Sequence, residues 1–240
     1  MTVKEHYDNH LGPVYSWMTG DFREKANEFR RFLSDNSIIP GASKIAVDLG
    51  SGHGIQSIPL AEQGFNVIAV DFNKLLLNEL KSNAEGLNVT VLNDDLRRVR
   101  HFAENPELIV CGGDTLSHLE SKQEIGELIS DIAAALGKHG KVVLTFRDYS
   151  APLTGTDRFI SVKSDSDRIL TCILDYENDF VNVTDLLYER TAEGWRQKVS
   201  TYRKVRLATH EIEDLLASSG LVVTSTQLMN RLTAIIATKP

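Results

Sequence analysis

Three short stretches carry side chains whose types and spacing can do chemistry. The first is CGGDTLSHL, residues 111–119, which sets Asp114 and His118 four positions apart with Thr115 and Ser117 between them. On a helical turn that spacing brings a carboxylate and an imidazole to one face. The carboxylate can orient the hydrogens of an amine, or it can cap the turn that follows it; the imidazole can act as a base or simply pack. The second stretch is DLGSGHG, residues 48–54, where Gly50, Gly52 and Gly54 follow Asp48 in a G-x-G-x-G spacing. Glycines there let a ligand come close to the main chain. The third is TFRDYS, residues 145–150, in which Arg147 directly follows an apolar run. A guanidinium fork in that place can hold a carboxylate in two bonds.

Two further acids belong with the glycine stretch. Asp71 ends the apolar run FNVIAVD and can take both hydroxyls of a ribose; Asp95, or its neighbour Asp94, follows the run NVTVLN. Glycines after one strand and acids after the next two describe a nucleoside-cofactor site. A dinucleotide fingerprint would instead read G-x-G-x-x-G.

These residues need a frame to hold them. KIAVDLG, FNVIAVD, NVTVLND, ELIVCGG and KVVLTF are short apolar runs suited to parallel strands buried on both faces. Helical spacing separates them over residues 55–63, 73–85 and 121–137, and an amphipathic helix with Asp21 near its start precedes them at 21–35. The expected fold class is α/β, a doubly wound seven-stranded, mostly parallel Rossmann-like sheet. After Tyr149 the period changes to two, and residues 158–207 read as antiparallel strands with turns at 165–167, 177–179 and 192–194. A helix at 209–219 and two last strands close the chain. The expected division is residues 1–34 as an N-terminal lid and helix, 35–150 as the cofactor-binding core, 151–207 as an inserted antiparallel β subdomain on the substrate side, and 208–240 as the end of the core.

Composition bounds the partners. The 240 residues carry a net charge of −7, which speaks against a general nucleic-acid binder. One exception is local: Arg196, Lys198, Lys204 and Arg206 share a strand face that could meet a polyanion such as RNA, although the negative net charge favours a solvated sheet face. No apolar run is long enough to span a membrane. The start lacks a secretory signal, and Cys111 and Cys172 lack metal-type spacing, so a reduced cytoplasm and no metal are expected. His6 and His10 have a metal-pair spacing without an acid partner nearby in sequence.

The stretches together resemble class I S-adenosylmethionine-dependent methyltransferases. CGGDTLSHL, TFRDYS and YSWMTGDFR (residues 15–23) are most similar to glycine/sarcosine N-methyltransferases. The resemblance implies that S-adenosylmethionine is the cofactor, with Asp48, Gly50, Gly52 and Gly54 around its methionine part. Asp71 and Phe72 would meet the ribose, Asp95 and Leu96 the adenine, and Cys111 the fourth strand's end; Tyr15 and Arg23 would cover the cofactor. It also implies that Arg147 binds an acceptor carboxylate, with Asp114 and His118 beside the reacting nitrogen. Where that family has an asparagine this chain has Asp114, which would favour an ammonium and oppose a carboxylate. The expected reaction is N-methylation of a small, amino-acid-like amine. The alternatives are an RNA or protein methyltransferase using the basic strand face, and a cofactor-binding relative without turnover; an oligomer remains open.

Overall fold

The computed structural model describes residues 2–240. It begins with a run of short helical turns, α1 (Val3–His6) continuing through Tyr7–Val14 to α2 (Tyr15–Thr19), before α3 (Phe22–Asp35). Asp21 caps α3 by accepting the Glu24 N–H at 2.8 Å, the role its position predicts. Strands β1 (Ile45–Leu49), β2 (Asn66–Asp71), β3 (Val89–Asn93), β4 (Leu108–Cys111) and β5 (Lys141–Phe146) then alternate with α4 (Ser57–Glu62), α5 (Lys74–Asn83) and α6 (Lys122–Ala135). Four antiparallel strands follow: β6 (Phe159–Ser164), β7 (Arg168–Tyr176), β8 (Phe180–Thr191) and β9 (Gly194–Val205). The chain ends with α7 (Thr209–Ser218), β10 (Val222–Met229) and β11 (Leu232–Thr238).

The main sheet has seven strands in the order β10-β11-β5-β4-β1-β2-β3, and the second sheet has four in the order β6-β7-β8-β9. β1 to β5 are parallel, while β11 runs antiparallel to both β5 and β10. The expected fold class is therefore the observed one. Apolar clusters fill both faces of the main sheet: Val47, Leu49, Ile109, Val142 and Leu144 pack against α6 and α7, and Ala46, Val67, Ala69, Val110 and Val143 against α3, α4 and α5.

This order puts the carboxyl ends of β1, β4 and β5 side by side. The four-stranded sheet faces those ends, and the N-terminal turns lie between the two. Gly12 and Pro13 do not end that segment. They lie in a 3-10 turn, Gly12–Val14, whose first positions need no N–H from the proline, and helix resumes at Tyr15–Thr19. His6, His10, Leu11, Gly12 and Val14 are buried, so the segment packs as part of the fold. Cys111 lies fully inside the core, and Cys172 is half-buried. No helix among the described residues is long and apolar enough to cross a membrane.

Candidate functional site

The glycine loop begins where β1 ends. Gly50 has φ +73°, and a Cβ built there would lie 2.5 Å from the Thr115 side chain, so both backbone shape and close approach demand glycine. Asp71, at the end of β2, accepts N–H groups from Gly52 at 2.9 Å and Asn73 at 2.8 Å. It thereby locks the loop to the next strand. Burial pushes its carboxyl above the usual range, against the pull of those two donors. Asp48 sits behind the loop. It is fully buried, accepts the Ser57 hydroxyl at 2.5 Å, and leaves Oδ1 without a partner. Burial raises its pKa to about 7.

A cavity of about 450 Å³ opens between this loop and the four-stranded sheet. Gly50, Ser51, Gln56, Gly112, Gly113 and Thr115 form one wall. The other is made by side chains at alternate positions on the strands: Ile160 and Val162; Leu170, Cys172 and Leu174; Val183 and Asp185; Tyr202 and Lys204. Tyr7, Tyr15 and Met18 of the N-terminal segment close over it, and Arg147, Tyr149 and His118 line the junction of the two walls.

Asp114 is the hub of that junction. Its carboxylate accepts the Arg147 backbone N–H at 3.0 Å, the Tyr149 hydroxyl at 3.1 Å and the Lys204 ammonium at 2.6 Å. The Thr115–His118 turn begins at Asp114, yet the side chain does not cap it, which removes the capping role that the sequence left open. Burial alone would raise the Asp114 pKa, but Lys204, His118 and the Arg147 N–H together hold it below the usual range. Lys204 is 9% exposed. Burial works against its charge, and the Asp114 carboxylate outweighs it, raising the ammonium's pKa well above normal. His118 has no partner for Nε2. Burial, and next the Lys204 charge, lower its pKa to about 3, so it is neutral at ordinary pH.

The N-terminal segment is fastened at both ends of the site. Asp8 accepts from the Asn73 amide at 2.9 Å, beside the end of β2, and the Tyr7 ring meets Phe72 edge-on. His6 stacks on Tyr202 with 4.0 Å between centroids, and its Nδ1 lies 2.7 Å from the Ser200 hydroxyl. Its Nε2 is 3.2 Å from Asp185, the acid missing from the local sequence, although off hydrogen-bond geometry. No group of three metal-ligating side chains suited to an ion occurs among the described residues.

The structure gathers Asp114, Arg147, His118, Tyr15 and Gly50 at one cavity. It does not bring every expected residue there. Arg23 is exposed, because α3 turns Ala26, Phe29 and Leu33 inward and leaves position 23 to solvent; Lys25, paired with Glu28 at 3.1 Å, reaches the rim instead. Gly54 packs against Leu80 and Ile58, and Gly52 against the Tyr15 ring. Cys111 points into the core, leaving Gly112 and Gly113 to line the cavity. Asp71 and Phe72 sit beyond the N-terminal segment, and Asp95 and Leu96 lie further along the sheet edge. Asp95 is held by Arg97 at 2.5 Å and accepts its backbone N–H at 2.9 Å, which lowers its pKa.

The largest departure concerns the basic strand face. Lys204 is buried against Asp114, Lys198 pairs with Glu189 at 2.6 Å, and the Arg206 guanidinium binds the carbonyls of Tyr149, Ser150 and Glu177. Ser200 and Tyr202 between them are buried. The inner end of the face, from Ser200 to Lys204, is turned inward, with Tyr202 and Lys204 lining the cavity, while Arg196 and Lys198 at its outer end stay exposed. Lys204, Tyr202 and Asp185 therefore line the cavity; sequence reasoning sets Lys204 on an outward basic face and does not single out Asp185. One signal was present: an acid in place of an amide at position 114 requires a cation from elsewhere in the chain.

The sequence matches the methyltransferase domain family over residues 46–140. It is 30% identical over 152 residues to glycine/sarcosine N-methyltransferase of Aphanothece halophytica, covering 60% of this chain and 57% of that protein. It is 26% identical over 227 residues to glycine N-methyltransferase of Rattus norvegicus, covering 85% of this chain and 76% of the relative. The chain thus spans little more than half the length of the first of these. Among solved structures, the CcbJ methyltransferase from Streptomyces caelestis superposes with a TM-score of 0.79 at 15% identity, covering 98% of each chain. DesVI of Streptomyces venezuelae does so with 0.77 at 15% identity, covering 96% of this chain and 97% of its own. These structural likenesses speak to the fold.

Proposed function

The chain belongs to the class I S-adenosylmethionine-dependent methyltransferases, and we propose that it methylates the nitrogen of a small, amino-acid-like amine. When bound, S-adenosylmethionine supplies a methyl group already activated by its sulfonium. The residues fit such a cofactor: where the cavity meets the loops after β1 and β4, Gly50, Gly112 and Gly113 offer main chain without side chains. In this reading those loops hold the methionine part, and Asp71 remains the ribose partner with Phe72 beside it. Asp95 and Leu96 serve the adenine.

The acceptor then sits between the glycine loop and the four-stranded sheet. Positioning and exclusion of water do most of the work, because an in-line displacement on an activated methyl needs no metal or acyl intermediate. Tyr7 and Tyr15 supply the cover. The attacking amine must be neutral, and His118, uncharged with Nε2 free, can accept a hydrogen bond from it in the Nδ1–H tautomer.

One observation carries the acceptor reading. Arg147 lines the cavity, and its guanidinium has no hydrogen bond or ion pair among the described residues. A half-buried, uncommitted guanidinium is an anion site. The test is S-adenosylhomocysteine release over a panel of amines and amino acids. On the acceptor found, Arg147→Lys keeps the charge and loses the fork; kcat/KM should fall about tenfold, near 1.4 kcal/mol, with cofactor affinity unchanged. Wild-type rates in both Arg147→Lys and Arg147→Ala would refute the assignment.

A further inference from the structure

The cavity's charges and its apolar wall define an acceptor more narrowly than an amine with a carboxylate. Asp114 would draw an ammonium if it were alone. It is not: Lys204 Nζ lies 2.6 Å from it, at the place an acceptor ammonium would take. The two cancel. Lys25 is paired with Glu28, and Asp185 lies 3.2 Å from the His6 ring, an ion pair only when that ring is protonated. His118 and the tyrosines are neutral at ordinary pH. Among the described residues, Arg147 is the cation of this cavity whose charged group has no hydrogen bond or ion pair.

The sheet wall is polarised across its width. β8 and β9 present Asp185, Tyr202 and Lys204, while β6 and β7 present Ile160, Val162, Leu170 and Leu174, with Val183 of β8 between the two groups. Leu170 and Leu174 are already packed in the core and back the stripe, while Ile160 and Val162 keep accessible surface. An acceptor as small as glycine would satisfy Arg147 and leave that outer part of the stripe wet. Covering Ile160 and Val162 with apolar matter removes their remaining surface from water, at roughly 25 cal/mol per Å².

Resting on the methyltransferase reading above, we propose that Lys204 and the Ile160–Val162–Leu170–Leu174 stripe are the specificity determinants of this site, and that they select an acceptor with a carboxylate on an apolar body over glycine-sized or uncharged amines. Lys204 acts through Asp114: it cancels a charge that would otherwise repel the acceptor carboxylate from Arg147.

The experiment uses calorimetry on the full chain saturated with S-adenosylhomocysteine, with 3-phenylpropionate, acetate and 3-phenylpropionamide as probes. The acid should bind at least tenfold more tightly than either acetate or the amide. Equal binding of acetate overturns the apolar stripe, and equal binding of the amide overturns the charge selection. Lys204→Met should weaken 3-phenylpropionate at least tenfold, and the pair Lys204→Met with Asp114→Asn should restore it to within about threefold. Those variant arms separate charge cancellation from a merely structural role, since a packing defect would not be repaired by changing Asp114. If the double variant stays as weak as the single one, Lys204 does not act through Asp114. The wild-type comparison stands even where a variant fails to fold. Failure of S-adenosylhomocysteine itself to bind would overturn the cofactor reading, an outcome distinct from failure of the acid alone.

Discussion

The two walls of the cavity are built by opposite means. The glycine wall is local. Residues 50–54 and 112–115 follow directly on β1 and β4, and their shape is set by positive φ values and by bonds to main-chain N–H groups such as that of Gly52 to the Asp71 carboxylate. The sheet wall is assembled at a distance, since Lys204 meets Asp114 across 90 residues and His6 meets Ser200 across 194. A wall made of backbone presents the same face whatever packs nearby, whereas a wall made of side chains on a two-sided sheet depends on which side the rest of the molecule covers. The first kind suits a cofactor shared by many enzymes, and the second suits an acceptor particular to one.

The sharpest break falls on the glycine wall. Gly50→Val sets a branched side chain at φ +73° against Thr115, and cofactor affinity should fall by about a thousandfold, near 4 kcal/mol, with the four-stranded sheet still folded. Titration calorimetry together with far-ultraviolet circular dichroism checks both halves of that statement.

On the sheet wall, Asp114→Asn comes next. From sequence alone this change restores an amide and relieves repulsion of a carboxylate. In the structure it strands a buried ammonium, and breaking such a pair costs about 3 kcal/mol of stability, measurable by urea unfolding. Lys204→Met in the same background should return most of it.

Asp48 tests the buried support of the glycine wall. Its carboxyl titrates near 7 in the folded chain against an ordinary value of 3.8. The folded state therefore keeps a proton that the unfolded chain gives up, so the contribution of this group to stability is fully present below about pH 4 and is lost as the pH rises to about 7. Asp48→Asn should remove that slope, so that the variant gains on wild type as the pH rises from about 4 to about 8. Parallel unfolding curves for the two proteins across that range would contradict it.

The smallest effect belongs to the outer end of β9. Lys198 and Glu189 are partly exposed, so Lys198→Ala should cost less than about 0.5 kcal/mol and leave S-adenosylhomocysteine binding unchanged. A loss comparable to that of Asp114→Asn would mean that the whole strand, and not its inner end, belongs to the site.

The same contrast explains what could be read from the sequence. The alternation of apolar runs and helices fixes β1 to β5 and their connections, because strands buried on both faces carry a continuous apolar signature. The strand ends then place Gly50, Asp71, Asp114 and Arg147 at one edge without further information. The four antiparallel strands are legible as strands, turns included. Which of their faces looks inward is not, since the polar side chains of Ser200, Tyr202 and Lys204 read as a solvated face until the main sheet and the N-terminal segment cover them. Arg23 shows the same limit on a helix: the motif around it resembles a known one, but the burial of Ala26 and Phe29 decides where it points.

The antiparallel β11 has a consequence for the order in which the chain is made. Its partner β5 is complete at Phe146, while Leu232 begins β11 only after the entire four-stranded sheet and α7. A growing chain therefore carries β5 as an open edge, its N–H and C=O groups unpaired and Val142, Leu144 and Phe146 close by, through the synthesis of some eighty residues. Closing that loop is also the most distant pairing in the main sheet, the kind that slows folding. β11 thus caps the edge most prone to pairing with another chain, and a chain cut before Leu232 should aggregate rather than fold.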